Sequence, residues 1–428
     1  MSDRRTAAFV RTEQIPPSAP PAAETGAIKW LRENLFSSVG NSIMTLIAFY
    51  AIYSLLSAAG GWIVNGVWDA GSVRDCNEQM GDVRGGCFAV LEARWHQMVF
   101  GIYPTDLYWR PVTAFVLLFV AFAPVLFQSV PRQVLYFTGL YPFLAYWLIW
   151  GGSVLVPILV LLGFVVGYLV YSRLVDQSFA MGFVGGVAAA IVFWVLAFSL
   201  LPERAGFLAL EPVATRQVGG FMLNMILGVV CVSLSLPLGI VLALGRQSSM
   251  PIIKWICVIF IEFVRGVPLI TLLFVANVVL AYFLPPGTNF DLILRVIIMI
   301  TMFAGAYIAE VIRGGLAALP RGQYEAADSL GLDYAQAMRL IILPQALKIS
   351  IPGIVNVAVG LFKDTTLVSV ISMFDLVGII RGPILASTEW NGVYWEVFGF
   401  AAILFFVICY GISQYSQWLE RQLATDHR

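Results

Sequence analysis

The sequence predicts an all-α, polytopic membrane protein with about ten transmembrane helices. Three observations carry this. Of 428 residues, 60% are hydrophobic and only 12% charged, whereas a soluble domain carries about 25% charged residues. Apolar runs long enough to cross a bilayer recur along the whole chain. Lys and Arg are distributed unevenly around those runs, as they are around real membrane spans. The formal net charge of zero argues against nucleic acid as a partner. The two histidines, His96 and His427, and the scattered cysteines form no metal-ligand spacing.

Taken in order, residues 1–36 read as a flexible cytoplasmic tail. They are Pro/Ala-rich at Pro16–Glu24 and lack the apolar core of a signal peptide. Apolar segments follow near 41–60, 111–129, 134–151, 154–171, 179–201, 220–244, 255–283, 291–312, 349–371 and 396–418. The Gly151-Gly152-Ser153 turn makes the third and fourth a hairpin. Placing both termini in the cytoplasm puts Arg4, Arg5, Arg11, Lys29 and Arg32 inside, together with Arg313, Arg321, Arg339 and Lys348. The positive-inside bias is then satisfied. Residues 61–110 become a periplasmic loop that contains Cys76 and Cys87. Two readings stand for these, a disulfide in an oxidising compartment or two free thiols. Cys231, Cys257 and Cys409 fall in apolar spans and read as small core residues. Leu210-Glu211-Pro212 and the polar segment up to Gly219 mark a boundary. It separates an N-terminal transmembrane extension (37–210) from a second five-span unit (211–428).

The longest polar break in that second unit is Leu319–Asn356. Pro320 suits a helix start, where the first N–H is unpaired anyway. Gly331 suits a left-handed C-cap. Asp333 and Gln336 have capping-box spacing for a second short helix, which Pro344 is expected to stop. Within this stretch stand Glu325-Ala326-Ala327, Gly331 four residues on, then Ile341 and Leu343-Pro344. This pattern resembles, position by position, the EAA loop of ABC-importer permeases. The resemblance implies a coupling helix, within the cytoplasmic loop 314–348, that sits in a groove of a separate ATPase subunit. Composition alone would leave an ordinary interfacial amphipathic helix as the competing reading.

Charges inside the spans cluster in the second unit, where each needs a partner or water. Glu262 and Arg265 are three apart on one helix face, just before Gly266 and Pro268 loosen the helix. They read either as a structural ion pair or as groups facing a cavity. Lys363-Asp364-Thr365-Thr366 fall near mid-depth of the ninth span. An adjacent cation and anion suit a zwitterionic substrate, or alternatively pin this helix to its neighbours. Both runs are similar to segments of polar amino-acid permeases: Glu-x-x-Arg-Gly-x-Pro, and Lys-Asp-Thr-Ser-Leu with Thr366 where Ser is usual. The substrate-lining candidates are therefore Glu262, Arg265, Lys363, Asp364, Thr365 and Thr366. Glu310 and Arg313, at the end of the eighth span, read as a mouth that gates or snorkels. Arg295, at its start, reads as an anion attractor or as a snorkelling side chain.

No phosphate-binding Gly-x-x-x-x-Gly-Lys-[Ser/Thr] run, His-Glu-x-x-His or nucleophile elbow occurs, so no enzymatic reading has residues to stand on. The resemblance implies a permease subunit of an ATP-driven importer of polar L-amino acids, in a bacterial inner membrane, working by alternating access. It implies a second homologous permease, two ATPase subunits that bind the ATP and Mg, and a periplasmic amino-acid-binding protein; no cofactor is expected in this chain. The N-terminal extension is similar in layout to the larger permease of general L-amino-acid or glutamate/glutamine/aspartate/asparagine importers. The alternative is a stand-alone ion-coupled secondary amino-acid transporter. That reading expects paired intramembrane acids in both halves, and the first half is nearly bare of charge.

Overall fold

The structure, a computed structural model, describes residues 26–127, 129–200, 208–279 and 291–424. It is built of helices, with no β-strand among the described residues and only isolated bridges. Residues 1–25 of the expected tail lie outside the described part, and Gly26–Asn34 forms helix α1. The chain separates into two units, 1–67 with 77–86, and 68–76 with 87–428. In the first, α2 (Val39–Val64) is apolar on every side, and Ser38 caps it by accepting from the Asn41 N–H. A helix with no polar face suits lipid on all sides.

Helix α3 (Val73–Met80) passes from one unit to the other, and Cys76 and Cys87 are joined by a disulfide. The second unit then runs through α4 (Ala89–Phe100), α5 (Trp109–Leu126), α6 (Val134–Trp150), α7 (Leu155–Leu174) and α8 (Phe179–Leu200). It continues with α9 (Gly220–Arg246), α10 (Pro251–Gly266), α11 (Leu269–Phe274) and α12 (Leu292–Ala318). Last come α13 (Gly322–Ser329), α14 (Tyr334–Ala337), α15 (Leu343–Asp364), α16 (Leu376–Ile379) and α17 (Tyr394–Ala424).

Eight of these segments are long and apolar enough to span a bilayer, or nine when a bent pair is counted as one span. Two of the ten expected spans therefore need correction. The third is α6, only 17 residues, ended by the Gly151 turn with its φ of +71°. The seventh is α10 and α11, bent by 103°. Val267 and Pro268 there take extended backbone, and Pro268 supplies no N–H to continue the helix.

The core of the second unit lies where α9, α12 and α15 cross. Glycines make the crossings close. A Cβ on Gly239 would stand 2.5 Å from Ile308 Cγ2, and one on Gly315 would stand 2.5 Å from the Ala346 carbonyl oxygen. Small residues at such points let backbones approach without a hydrophobic drive between helices. The start of α9 is seated equally tightly, since the Gly220 N–H donates to the Phe374 carbonyl at 2.7 Å.

Candidate functional site

The polar stretch after α12 folds as its punctuation predicts, with one exception. Helix α13 ends in a Schellman turn: Gly331 has φ +70°, its N–H donates to Asp328 O, and Leu332 N donates to Ala327 O. Asp333 caps α14 and Gln336 reciprocates, at 2.7 and 3.2 Å. Pro344 does not stop the second helix. A π turn over Met338–Ile342 widens the coil, and Pro344 falls in the first turn of α15, where its missing N–H costs nothing. The helix thus runs from Tyr334 to Ile371 as one element of 38 residues.

Ala327, Ala337, Met338 and Ile342 anchor this knob by burial, while Gln345 Nε2 donates to Gln323 Oε1 at 3.0 Å. Glu325 and Ala326 face outward, Gly331 and Pro344 are exposed, and Leu343 is half-buried. Leu330, Tyr334 and Leu340 are 73%, 65% and 64% exposed.

Behind the knob, α9, α10 and α12 bring five charges together. Arg246 reaches Glu262 at 2.8 Å and Glu310 at 3.1 Å. Arg265 lies 4.0 Å from Glu262 and 3.5 Å from Glu310. Arg313 donates to Glu310 through Nε at 2.7 Å. The Arg265 guanidinium also stands over the Tyr307 ring, 5.5 Å from its centroid. The pair read from sequence is therefore part of a network centred on Glu310, the most buried of its members. Arg246 was missed as a member, because nothing local links residues 64 positions apart.

Tyr307 also lines a cavity of about 240 Å³ with Phe303, Ala304, Val357, Gly360, Leu361 and Asp364. Of the Lys363–Thr366 run, only Asp364 lines it. Lys363 is exposed. Thr366 Oγ donates to the Lys363 carbonyl at 2.9 Å where the α-helix tightens into a 3₁₀ turn. Thr365 is fully buried, and its hydroxyl donates to the Phe362 carbonyl and accepts from Asn224 Nδ2 at 3.0 Å. Asn224 Nδ2 also donates to Asp375 at 3.1 Å, and its Oδ1 accepts from Leu376 N at 3.0 Å. Asp375 in turn caps α16, accepting from Gly378 N and Val377 N. This buried knot ties α9 to the segment between the last two spans. Its signal in the sequence was an amide, Asn224, inside an apolar run.

A family model described as the binding-protein-dependent transport system inner membrane component matches residues 235–424, the stretch that holds the knob, the charge network and Asp364. The glutamate/glutamine/aspartate/asparagine transport system permease protein BztC of Rhodobacter capsulatus is 52% identical over 98% of this chain and 99% of its own length. The inner membrane amino-acid ABC transporter permease protein YhdY of Escherichia coli strain K12 is 36% identical over 96% of each chain. The crystal structure of an amino acid ABC transporter with histidines is 32% identical, covers 47% of this chain and 92% of that one, and superposes with a TM-score of 0.42. Full-length identity of this order, together with the matched inner-membrane component, means that this chain belongs to the permease subunits of amino-acid ABC importers.

Proposed function

We propose that this permease imports polar L-amino acids of the class named for its relatives, glutamate, glutamine, aspartate and asparagine. A permease of this family works with an ATPase and a binding protein. Here it pairs, in this reading, with a second homologous permease and two ATPase subunits. The ATPases hold the ATP and Mg, since this chain has no phosphate-binding loop. Both termini and the 319–342 knob face the cytoplasm, and the binding protein delivers substrate to the opposite side.

The observation that carries the reading is the unbroken helix from the knob to the Asp364 cavity. From Tyr334 to Asp364 it is about 45 Å long at about 1.5 Å per residue. Movement of the knob against an ATPase groove is delivered by this lever to the cavity. Glu325, Ala326, Ala327, Gly331, Leu343 and Pro344 build the docking end. Asp364 lines the substrate path, with Lys363 and Thr366 on the same turn; Thr365 fastens that turn to Asn224. Glu262 and Arg265 act through the junction with Glu310 rather than by holding substrate alone.

The test is a gentle-detergent isolation of the tagged chain with mass spectrometry of what accompanies it, followed by uptake competition across amino acids. Co-isolation of an ATPase and a second permease supports the reading. Recovery of the chain alone, under conditions that keep other importers intact, refutes the assembly proposed.

A further inference from the structure

At the end of α12 remote from the knob lies a second cavity, of about 650 Å³, within the ~300–1,000 Å³ usual for small-molecule sites. It shares no lining residue with the Asp364 cavity. Two arginines and one carboxylate line it: Arg216, in the 3₁₀ turn Thr215–Gln217; Arg295, in the first turn of α12; and Asp291, the cap of that helix. Neither arginine has an ion-pair partner among the described residues. Among the described residues, Arg295 Nη1 donates only to the carbonyls of Ala276 and Asn277, at 3.3 and 3.2 Å. Its Nε is buried with no partner among the described residues. Asp291 accepts from Ile293 N at 2.8 Å through one oxygen, and its other oxygen has no partner among the described residues. Asn277 and Ser372 add an amide and a hydroxyl, and Leu223 and Met373 supply apolar wall.

The half-buried Arg295 guanidinium, without a carboxylate partner among the described residues, is an unmet charge. With the exposed Arg216 lining the same cavity, two cations beside one carboxylate give it the complement of a molecule with two carboxylates and one ammonium. We propose that it is a receiving subsite for a dicarboxylic α-amino acid, with Arg216 and Arg295 each taking a carboxylate and Asp291 the ammonium. An amide such as glutamine leaves one guanidinium matched only by a neutral oxygen. A basic amino acid brings a second cation and is repelled. The subsite therefore sorts substrates before they reach the Asp364 cavity. It rests on the importer reading above.

The test uses the whole importer in proteoliposomes, with one binding protein throughout so that its own selectivity cancels. ATP-driven uptake of radiolabelled glutamate and of glutamine is measured below saturation for wild type, Arg216→Gln, Arg295→Gln and Arg295→Lys. Loss of one charge-assisted hydrogen bond is expected to lower the glutamate-to-glutamine ratio about tenfold or more in Arg216→Gln and Arg295→Gln. Arg295→Lys keeps most of the ratio. Arg216 is exposed, so its variant decides if Arg295→Gln fails to assemble. An unchanged ratio in Arg216→Gln overturns the subsite. Wild-type uptake confined to neutral or basic amino acids also overturns it while leaving the importer reading standing. No ATP-driven uptake of any amino acid by wild type overturns the importer reading itself.

Discussion

Adjacent glycines near the end of α12 give opposite expectations for the same added methyl group. An ideal Cβ on Gly315 would lie 2.1 Å from Ser350 Oγ and 2.5 Å from the Ala346 carbonyl oxygen, whereas one on Gly314 meets nothing within 4 Å. The serine can rotate away, although it then gives up its 3.3 Å bond to the Val311 carbonyl. The Ala346 carbonyl belongs to the α15 backbone and cannot move unless the helix moves. Gly315→Ala therefore forces α12 and α15 apart at the point where the knob joins the core, an overpacking that costs about 1–3 kcal/mol. Gly314→Ala only removes backbone freedom from a helix interior and stabilises by about 0.5–1 kcal/mol. The assay is thermal loss of the monodisperse chromatographic peak in detergent, at constant protein and detergent concentration. Gly315→Ala should lower the midpoint and Gly314→Ala should hold or raise it. Equal midpoints for the two variants would refute the claim that backbone proximity, rather than helix propensity, fixes glycine here.

Three further outcomes follow from the contacts described. Glu310→Gln leaves Arg246, Arg265 and Arg313 with Glu262 as their sole acid within the network, and should cost about 1–3 kcal/mol. Glu262→Gln, at a side chain 54% exposed, should cost under about 1 kcal/mol, and equal midpoints for the two would count against Glu310 as the centre. Asp375, between the last two spans, has its carboxyl pushed by burial from 3.8 up to about 6, against the pull of hydrogen bonds from Gly378, Asn224 and Val377. The folded state thus favours the neutral form, so this contribution is full below 3.8 and is lost as pH rises through about 6. Over that window wild type should lose roughly 3 kcal/mol that Asp375→Asn does not lose; parallel midpoint–pH curves would contradict this. The Cys76–Cys87 disulfide closes a short loop, with a sequence separation of 11. The paired Cys→Ser variant should lose about 2–3 kcal/mol of loop order, read as faster proteolysis confined to residues 68–100, while the rest of the chain keeps its cleavage pattern.

What was legible in the sequence was local. Gly331 and the Asp333–Gln336 box are read within one or two turns, and both form as written. Apolar runs give the spans, because a bilayer imposes its thickness on any helix that crosses it. Pro344 defeated a local rule: the stop it signals depends on the turn before it, and a π turn absorbs the missing N–H. The charge network and the buried knot were legible only as single residues wanting partners. Glu310 and Asp375 find theirs across 64 and 151 positions, a distance over which sequence spacing says nothing about proximity.

The core is held by two kinds of contact, close packing at glycines and charge pairs between helices. Helices α9, α12 and α15 meet where side-chain methyl groups press onto glycines, as at Gly239 under Ile308, Gly305 under Leu238 and Gly353 under Val311. Sliding one past another would drive atoms into contact, so these crossings resist relative displacement. Helix α10 combines both kinds of contact. Cys257, Ile261 and Val264 pack it into the apolar core, with Cys257 against Gly245 of α9. Arg246, Glu262, Arg265 and Glu310 add charge pairs to α9 and α12, of which Glu262 is the most exposed member. It also ends in the Gly266–Pro268 break, where the chain is already bent by 103°. The charge junction of α10 thus stands beside Tyr307, over which the Arg265 guanidinium sits and which is one of the residues that line the Asp364 cavity.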